Sequence, residues 1–196
     1  YKDGAWVDTV AEAQFTIARQ GVDLPSGIQT QRTYDYGNTL TAWNGSSQAY
    51  TVSGNTATVT GDYTVTFTLN DNYQWKESVV GGSGQPTSTT AEYSVDWSVK
   101  PLAVSVPTGS DPDYTYDGSA QTYTFTGWTA GKNNIAPISV LVEEGEAVIS
   151  DAADAAAGTV SLTDAGNYTI TLSLTDTTNF VWADGGDAER EFAFTI

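Results

Sequence analysis

Gly166-Asn167-Tyr168-Thr169-Ile170-Thr171-Leu172-Ser173-Leu174 is the stretch that decides the fold. Tyr168, Ile170, Leu172 and Leu174 alternate with Asn, Thr and Ser, and a period of two sends successive side chains to opposite faces of a pleated strand. One face is apolar and the other wet. The same grammar occurs earlier as Gly61-Asp62-Tyr63-Thr64-Val65-Thr66-Phe67-Thr68-Leu69. Each stretch runs on through Asn or Asp to an aromatic residue and a Trp, Tyr73 and Trp75 in the first, Phe180 and Trp182 in the second. The chain therefore repeats a β unit.

Working outward, each unit closes on a further alternating run, Tyr93, Val95, Trp97 and Val99 in one and Phe192, Phe194 and Ile196 in the other. Val22-Asp23-Leu24-Pro25-Ser26-Gly27 has its counterpart in Val104-Ser105-Val106-Pro107-Thr108-Gly109, an offset of 104 − 22 = 82 positions. A Pro in each suits an edge strand or linker, since Pro cannot donate to a ladder. Leu24-Pro25-Ser26-Gly27 has the look of a sortase signal but lies mid-chain without an apolar tail, so it reads as a linker. Asn44-Gly45 ahead of Tyr50-Thr51-Val52-Ser53-Gly54 parallels Asp117-Gly118 ahead of Tyr123-Thr124-Phe125-Thr126-Gly127, because such pairs tolerate positive φ in tight turns. The second unit then interposes residues 132–164, which supply additional strands at Ile138–Val142, Ala147–Ile149 and Thr159–Leu162, and Ala152–Gly158 as one helical turn too short to stand alone. A split at Lys100-Pro101 gives domains 1–100 and 101–196, of 100 and 196 − 100 = 96 residues, the size of an immunoglobulin-like sandwich. Ala13–Ala18 reads as a short strand, and residues 1–18 resemble the close of a repeat. They are either the end of an upstream repeat or strands that complete the first domain.

Composition narrows the function. The 196 residues carry 24 Asp and Glu against 7 Lys and Arg, a formal net charge of −17 that repels phosphate backbones and anionic membranes. No nucleic-acid partner is expected. Cys, His and Met are absent, which excludes disulfides, thiolate nucleophiles, zinc sites and His-based charge relays. Any catalysis would run on carboxylates, Tyr or Lys. No apolar run approaches the ~18 residues of a membrane span, and the first residues lack a signal peptide's basic and apolar regions. The expected product is a soluble part of something longer.

Tyr114-Thr115-Tyr116-Asp117-Gly118, Asp164-Ala165-Gly166-Asn167-Tyr168-Thr169-Ile170 and Asn179-Phe180-Val181-Trp182, closed by a Phe-Thr-Ile strand, occur in an order that resembles the bacterial immunoglobulin-like repeats of the YDG and MBG type. The resemblance covers most of 101–196 and more weakly 21–100, where Asn44-Gly45 replaces Asp-Gly and the middle hairpin is missing. It implies tandem β-sandwiches on an exported, wall-attached protein that serve as stalk or adhesin modules. Related surface sandwiches carry Lys–Asn isopeptide cross-links. Lys76 and Lys100 lie near strands, but no Asn occupies either final strand, so both read as ordinary surface or linker lysines.

The candidate sites each compete with a plainer reading. Trp75, Trp97 and Trp182 hold inward positions and belong to the core. Trp6, Trp43 and Trp128 lie near turns, and Trp43 and Trp128 are the candidates for stacking on a sugar ring. Asp111, Asp113 and Asp117 are the first choice for Ca²⁺, which needs six to eight oxygens. Like Glu143, Glu144 and Glu146, Asp151 and Asp154, and Asp184 and Asp187, they also read as solvated loop acids. None matches the twelve-residue calcium loop, and no pair of acids is picked out for glycoside hydrolysis.

The expectation is an all-β protein of two tandem immunoglobulin-like β-sandwich domains, the second with inserted strands at 132–164. Its expected role is that of a non-enzymatic structural or adhesive module of a bacterial cell-surface protein, extracellular and wall-attached, with a host surface protein or polysaccharide as ligand and no cofactor but calcium. The alternative is a carbohydrate-binding module of a secreted enzyme.

Overall fold

The computed structural model describes residues 13–76, 86, 90–110, 114–149 and 151–196. They form an all-β protein, with no helix among them. Contacts group the chain into one compact unit of Tyr1–Ser26, Gly45–Val52 and Thr66–Tyr93, and another of Gly27–Asn44, Ser53–Val65 and Ser94–Ile196.

Both repeated stretches are strands, β6 (Gly61–Leu69) and β16 (Asn167–Leu174). Alternation decides their buried faces. Val65 and Phe67 on β6, and Tyr168, Ile170, Leu172 and Leu174 on β16, are buried. Each such side chain contributes roughly 1.5–3 kcal/mol relative to exposure. The expected closing strands are β8 (Glu92–Lys100) and β18 (Arg190–Thr195). With β2 (Gln31–Thr33) and β4 (Tyr50–Ser53), one sheet runs β2-β8-β6-β4; with β12 (Ile138–Glu144) and β13 (Ala147–Val148), another runs β13-β12-β16-β18. Trp97 and Val99 of β8 and Phe194 of β18 are core residues, as are Trp75 and Trp182.

The repeat extends to a pairing no local pattern announced. β1 (Gln20–Val22) pairs in parallel with β7 (Tyr73–Trp75), Gln20 opposite Tyr73 and Val22 opposite Trp75. β9 (Leu102–Val104) pairs in parallel with β17 (Phe180–Trp182), Leu102 opposite Phe180 and Val104 opposite Trp182. The 82-residue offset (102 − 20 and 104 − 22) therefore maps β1 onto β9 in identical register.

Each organising strand also begins with the same latch. The Tyr63 hydroxyl donates to the Val59 carbonyl at 3.0 Å, and the Tyr168 hydroxyl to the Asp164 carbonyl at 2.9 Å, four residues back in both cases. This is the geometry of a tyrosine corner. A glycine stands two residues before each Tyr: a Cβ on Gly166 would crowd the Tyr168 ring at 3.0 Å, whereas Gly61 is required by its positive φ of 151°.

Two expectations are corrected and one is narrowed. Residues 13–19 form no strand, and β1 starts at Gln20. Within Ala152–Gly158 the one helical turn is confined to its second half: β14 (Ala153–Asp154) leads into a single turn, closed by the Gly158 amide on the Asp154 carbonyl at 2.8 Å, while the Asp154 carboxylate accepts the Ala156 and Ala157 amides, each at 3.0 Å. Finally, the strands after Asn44-Gly45 and Asp117-Gly118 hold different places. β4 lies beside β6, whereas β11 (Gln121–Thr126) lies between β10 (Thr108–Gly109) and β15 (Thr159–Leu162). The position beside β16 belongs to β12, and the short pair β3 (Leu40–Thr41) with β5 (Thr56–Ala57) matches β11 with β15. Two strands of the interposed segment thus have counterparts in the first repeat, leaving β13 and β14 as the additions.

Candidate functional site

The most elaborate polar arrangement among the described residues is a pair of facing turns. In the first, Tyr36 (φ 48°) and Gly37 (φ 74°) both lie in the left-handed region, and the Asn38 amide donates to the Asp35 carbonyl at 2.9 Å. In the second, Asn133 (φ 54°) and Asn134 (φ 61°) do the same inside a hairpin whose Lys132 and Ile135 exchange backbone hydrogen bonds of 3.0 and 2.9 Å. Two successive positive φ values define a type I′ turn, for which Asn and Gly are suited and Tyr is not. Tyr36 is held there by packing: it is buried, with its ring 5.5 Å from that of Phe180 and 6.4 Å from that of Tyr34, which meets Phe180 edge-on at 5.4 Å.

Side chains lock the turns together. The Lys132 ammonium donates to Asp35 at 2.7 Å, and the Asn133 side-chain amide donates to the Tyr36 carbonyl at 3.1 Å and to Asn38 Oδ1 at 3.0 Å. The hydrogen bonds from Lys132 and then from Asn38 hold the Asp35 carboxyl below its ordinary pKa, whereas burial raises that of the Tyr36 hydroxyl.

A second clamp lies at Asn179, which is buried. Its Oδ1 accepts the Thr60 amide at 2.9 Å, and the Thr60 hydroxyl donates to the Thr178 carbonyl at 2.9 Å. Asp176 sets the Asn179 side chain by accepting its Nδ2 at 2.6 Å, and this bond is the main cause lowering the Asp176 pKa. Leu102 of β9 then donates its amide to the Asn179 carbonyl at 2.9 Å. Residues from before Lys100-Pro101 are therefore fastened to residues after it by charge-assisted, amide and aromatic contacts, all inside one compact unit.

A separate open groove of about 470 Å³ is lined by Asp62, Tyr63, Thr64, Asp96, Trp97 and Ser98. Tyr63 and Trp97 lie with ring centroids 5.0 Å apart, the Trp97 Nε1 donates to the Gly54 carbonyl at 3.0 Å, and the Thr64 hydroxyl donates to Asp96 at 2.8 Å. Trp97 is core, so the half-buried Tyr63 ring alone presents aromatic surface to the groove, and carboxylates and hydroxyls beside such a ring are the chemistry that receives a sugar.

Of the residues singled out in the sequence, Trp97 lines the groove, while Trp43, Trp128 and Asp117 belong to neither arrangement. Trp43 is only 8% exposed. Trp128 is half-buried, its Nε1 donating to the Ala155 carbonyl at 2.9 Å and its ring 5.8 Å from that of Phe125. Trp6, Asp111 and Asp113 lie outside the described residues. Asp117 caps its own turn, accepting the Ser119 amide at 2.8 Å and Gln121 Nε2 at 3.0 Å. No group of three Asp or Glu that could hold a metal ion occurs among the described residues. Asp184 pairs with Arg190 at 3.0 Å, while Lys76 pairs with Asp23 at 2.6 Å and Lys100 with Asp62 at 3.7 Å on the surface. The facing turns were missed in the sequence, although Asn133-Asn134 is a type I′ signal that could have marked one of them. The chain matches no protein-family model and no curated protein sequence. Among the described residues no helix is long and apolar enough to cross a membrane.

Proposed function

We infer that the chain is a non-enzymatic structural and adhesive repeat module of a bacterial cell-surface protein, extracellular and wall-attached. In this reading it comprises tandem immunoglobulin-like β-sandwiches that join near Lys100-Pro101 and act as a stalk or spacer. The observation that carries it is the fastening of residues 35–38 and 60 onto 132–133 and 178–179. A spacer transmits reach only when successive repeats do not swivel, and contacts spread over two clamps resist swivelling better than a two-residue linker alone. The matched registers of β1–β7 and β9–β17 and the two tyrosine corners support an immunoglobulin-like repeat. The acids with shifted pKa values also fit: Asp35 and Asp176 are lowered by donors in the clamps, the reverse of what a general acid needs.

Two measurements test this. Antibody raised to the chain should label intact source cells; labelling only after lysis overturns the surface assignment. In small-angle scattering, Lys132→Met combined with Asn179→Ala should broaden the distribution of maximum dimensions, and curves identical to wild type overturn the stiff joint. The second reading, a carbohydrate-binding module, is favoured by the Tyr63 groove. A polysaccharide bound on a glycan array and lost on both Tyr63→Ala and Asp96→Asn supports it; no binding by the wild-type chain counts against it.

A further inference from the structure

Phe15 and Ile17 are 84% and 85% exposed. They lie two residues apart in a segment that forms no strand, and in a strand that spacing would put both on one face. An exposed Phe-x-Ile face of this kind is costly in water and asks for a cover.

The repeat says what the cover is. The 82-residue offset that maps β1 onto β9 continues upstream without a gap: 97 − 15 and 99 − 17 also equal 82. Phe15 and Ile17 are thus the counterparts of Trp97 and Val99 on β8, each only 2% exposed. They also match the other closing strand, since Phe15-Thr16-Ile17 repeats Phe194-Thr195-Ile196, in which Phe194 is 1% exposed. Both occupied versions face a corner tyrosine. Phe194 stands opposite Tyr168 in the antiparallel β16–β18 ladder, and the Trp97 ring lies 5.0 Å from that of Tyr63. Twice in this chain the residues ahead of a β1-type strand close a sheet, and at 13–17 the same pattern stands open.

We propose that residues 13–17 are the closing strand of a further copy of this repeat. The strand is donated antiparallel to a strand of the β6 or β16 type, with Phe15 opposite that copy's corner tyrosine and Ile17 at the position Ile196 holds here. The partner surface is a repeat whose own closing strand is missing. One strand would then end one repeat and run, after Ala18-Arg19, directly into β1 of the next, as β8 runs through Pro101 into β9. This rests on the tandem-repeat reading, but it can fail while that reading stands.

The test supplies the missing partner in the whole chain. Residues 101–189, which lack β18, are placed directly before residue 11, so that 11–17 fall where 190–196 would be. Amide hydrogen exchange at 13–17 is expected to slow by more than about 100-fold on alternate residues relative to the 196-residue chain, and Phe15→Ser with Ile17→Ser should abolish that protection. A control fusion carrying intact 101–196 before residue 11 already has a closing strand, and its 13–17 amides should stay unprotected. Unprotected amides in the first fusion overturn the proposal, whether or not the added copy is folded, and so does equal protection in both fusions. Protection in the unfused chain that rises with concentration alongside a dimer also overturns it, because the partner is then a second chain. Scattering changes in the joint variants are independent of all these outcomes.

Discussion

β6 and β16 share an alternating sequence, a glycine two residues before a corner tyrosine, and a neighbouring closing strand, yet they are buried to different depths. On β16 all four apolar side chains are buried, and so is Thr171 on the opposite face; on β6 Val65 and Phe67 are buried while Tyr63 and Leu69 are half-exposed. The neighbours explain the difference. β16 is flanked by β12 and β18 through ladders of six residue pairs each, whereas the outer neighbour of β6 is the four-residue β4. The period of a strand chooses its inner face, and the length of its neighbours sets how thoroughly both faces are covered.

The largest test of that comparison is at the two tryptophans that follow the strands. Trp75 and Trp182 are both nearly fully buried, so Trp75→Ala and Trp182→Ala should each cost about 3–5 kcal/mol in urea unfolding. Replacement by Phe separates them. The Trp182 Nε1 donates to the Ala188 carbonyl at 2.8 Å and its ring lies under the Arg190 guanidinium at 5.9 Å, whereas the Trp75 Nε1 has no partner among the described residues. Trp182→Phe should therefore be the more damaging, by about 1 kcal/mol. Equal losses would mean that the registers of β7 and β17 match while their surroundings do not matter.

The corner tyrosines give a smaller difference in the same direction. Tyr168→Phe removes a part-buried hydrogen bond and should cost about 1 kcal/mol, and Tyr63→Phe, whose hydroxyl is exposed, should cost less. Double substitution should be additive, since the two corners share no partner. A larger loss at Tyr63 would show that the exposed corner, not the buried one, anchors its strand.

How much of this was legible depends on the range over which each feature is encoded. Strands β6, β8, β16 and β18 could be read because alternation is local. The exposed Phe15-Thr16-Ile17 segment also alternates, but with no partner strand among the described residues the pattern alone produced no strand. The parallel pairs β1–β7 and β9–β17 join segments more than fifty residues apart through backbone bonds that no side-chain pattern records. Asn44-Gly45 carries the usual turn residues and reads as the counterpart of Asp117-Gly118. The left-handed turn that faces Asn133-Asn134 is at Tyr36-Gly37, and a tyrosine at positive φ sends no turn signal. The meeting of the two turns was illegible as well: Asp35 and Lys132 are 97 residues apart, and only tertiary packing brings their turns together.

The acids of the two clamps, Asp35 and Asp176, supply the finest distinction, because different donors hold their pKa values down. Asp35 is lowered first by the Lys132 ammonium, Asp176 first by the neutral Asn179 amide. In each case the unfolded chain takes up the proton before the folded one does as pH falls. The stabilisation is therefore present above the ordinary carboxylate range and is lost as pH drops through the lower, folded value. Lys132→Met should move the Asp35 titration midpoint upward while leaving that of Asp176 in place, as followed by carboxyl carbon chemical shifts. Raising the salt to about 1 M, where the screening length falls to roughly 3 Å, should shrink the Asp35 shift more than the Asp176 shift. If salt moved both midpoints equally, or Lys132→Met moved neither, the facing turns would owe their lock to Asn133 and to Tyr36 packing on Phe180, and the ion pair would be a passenger on them.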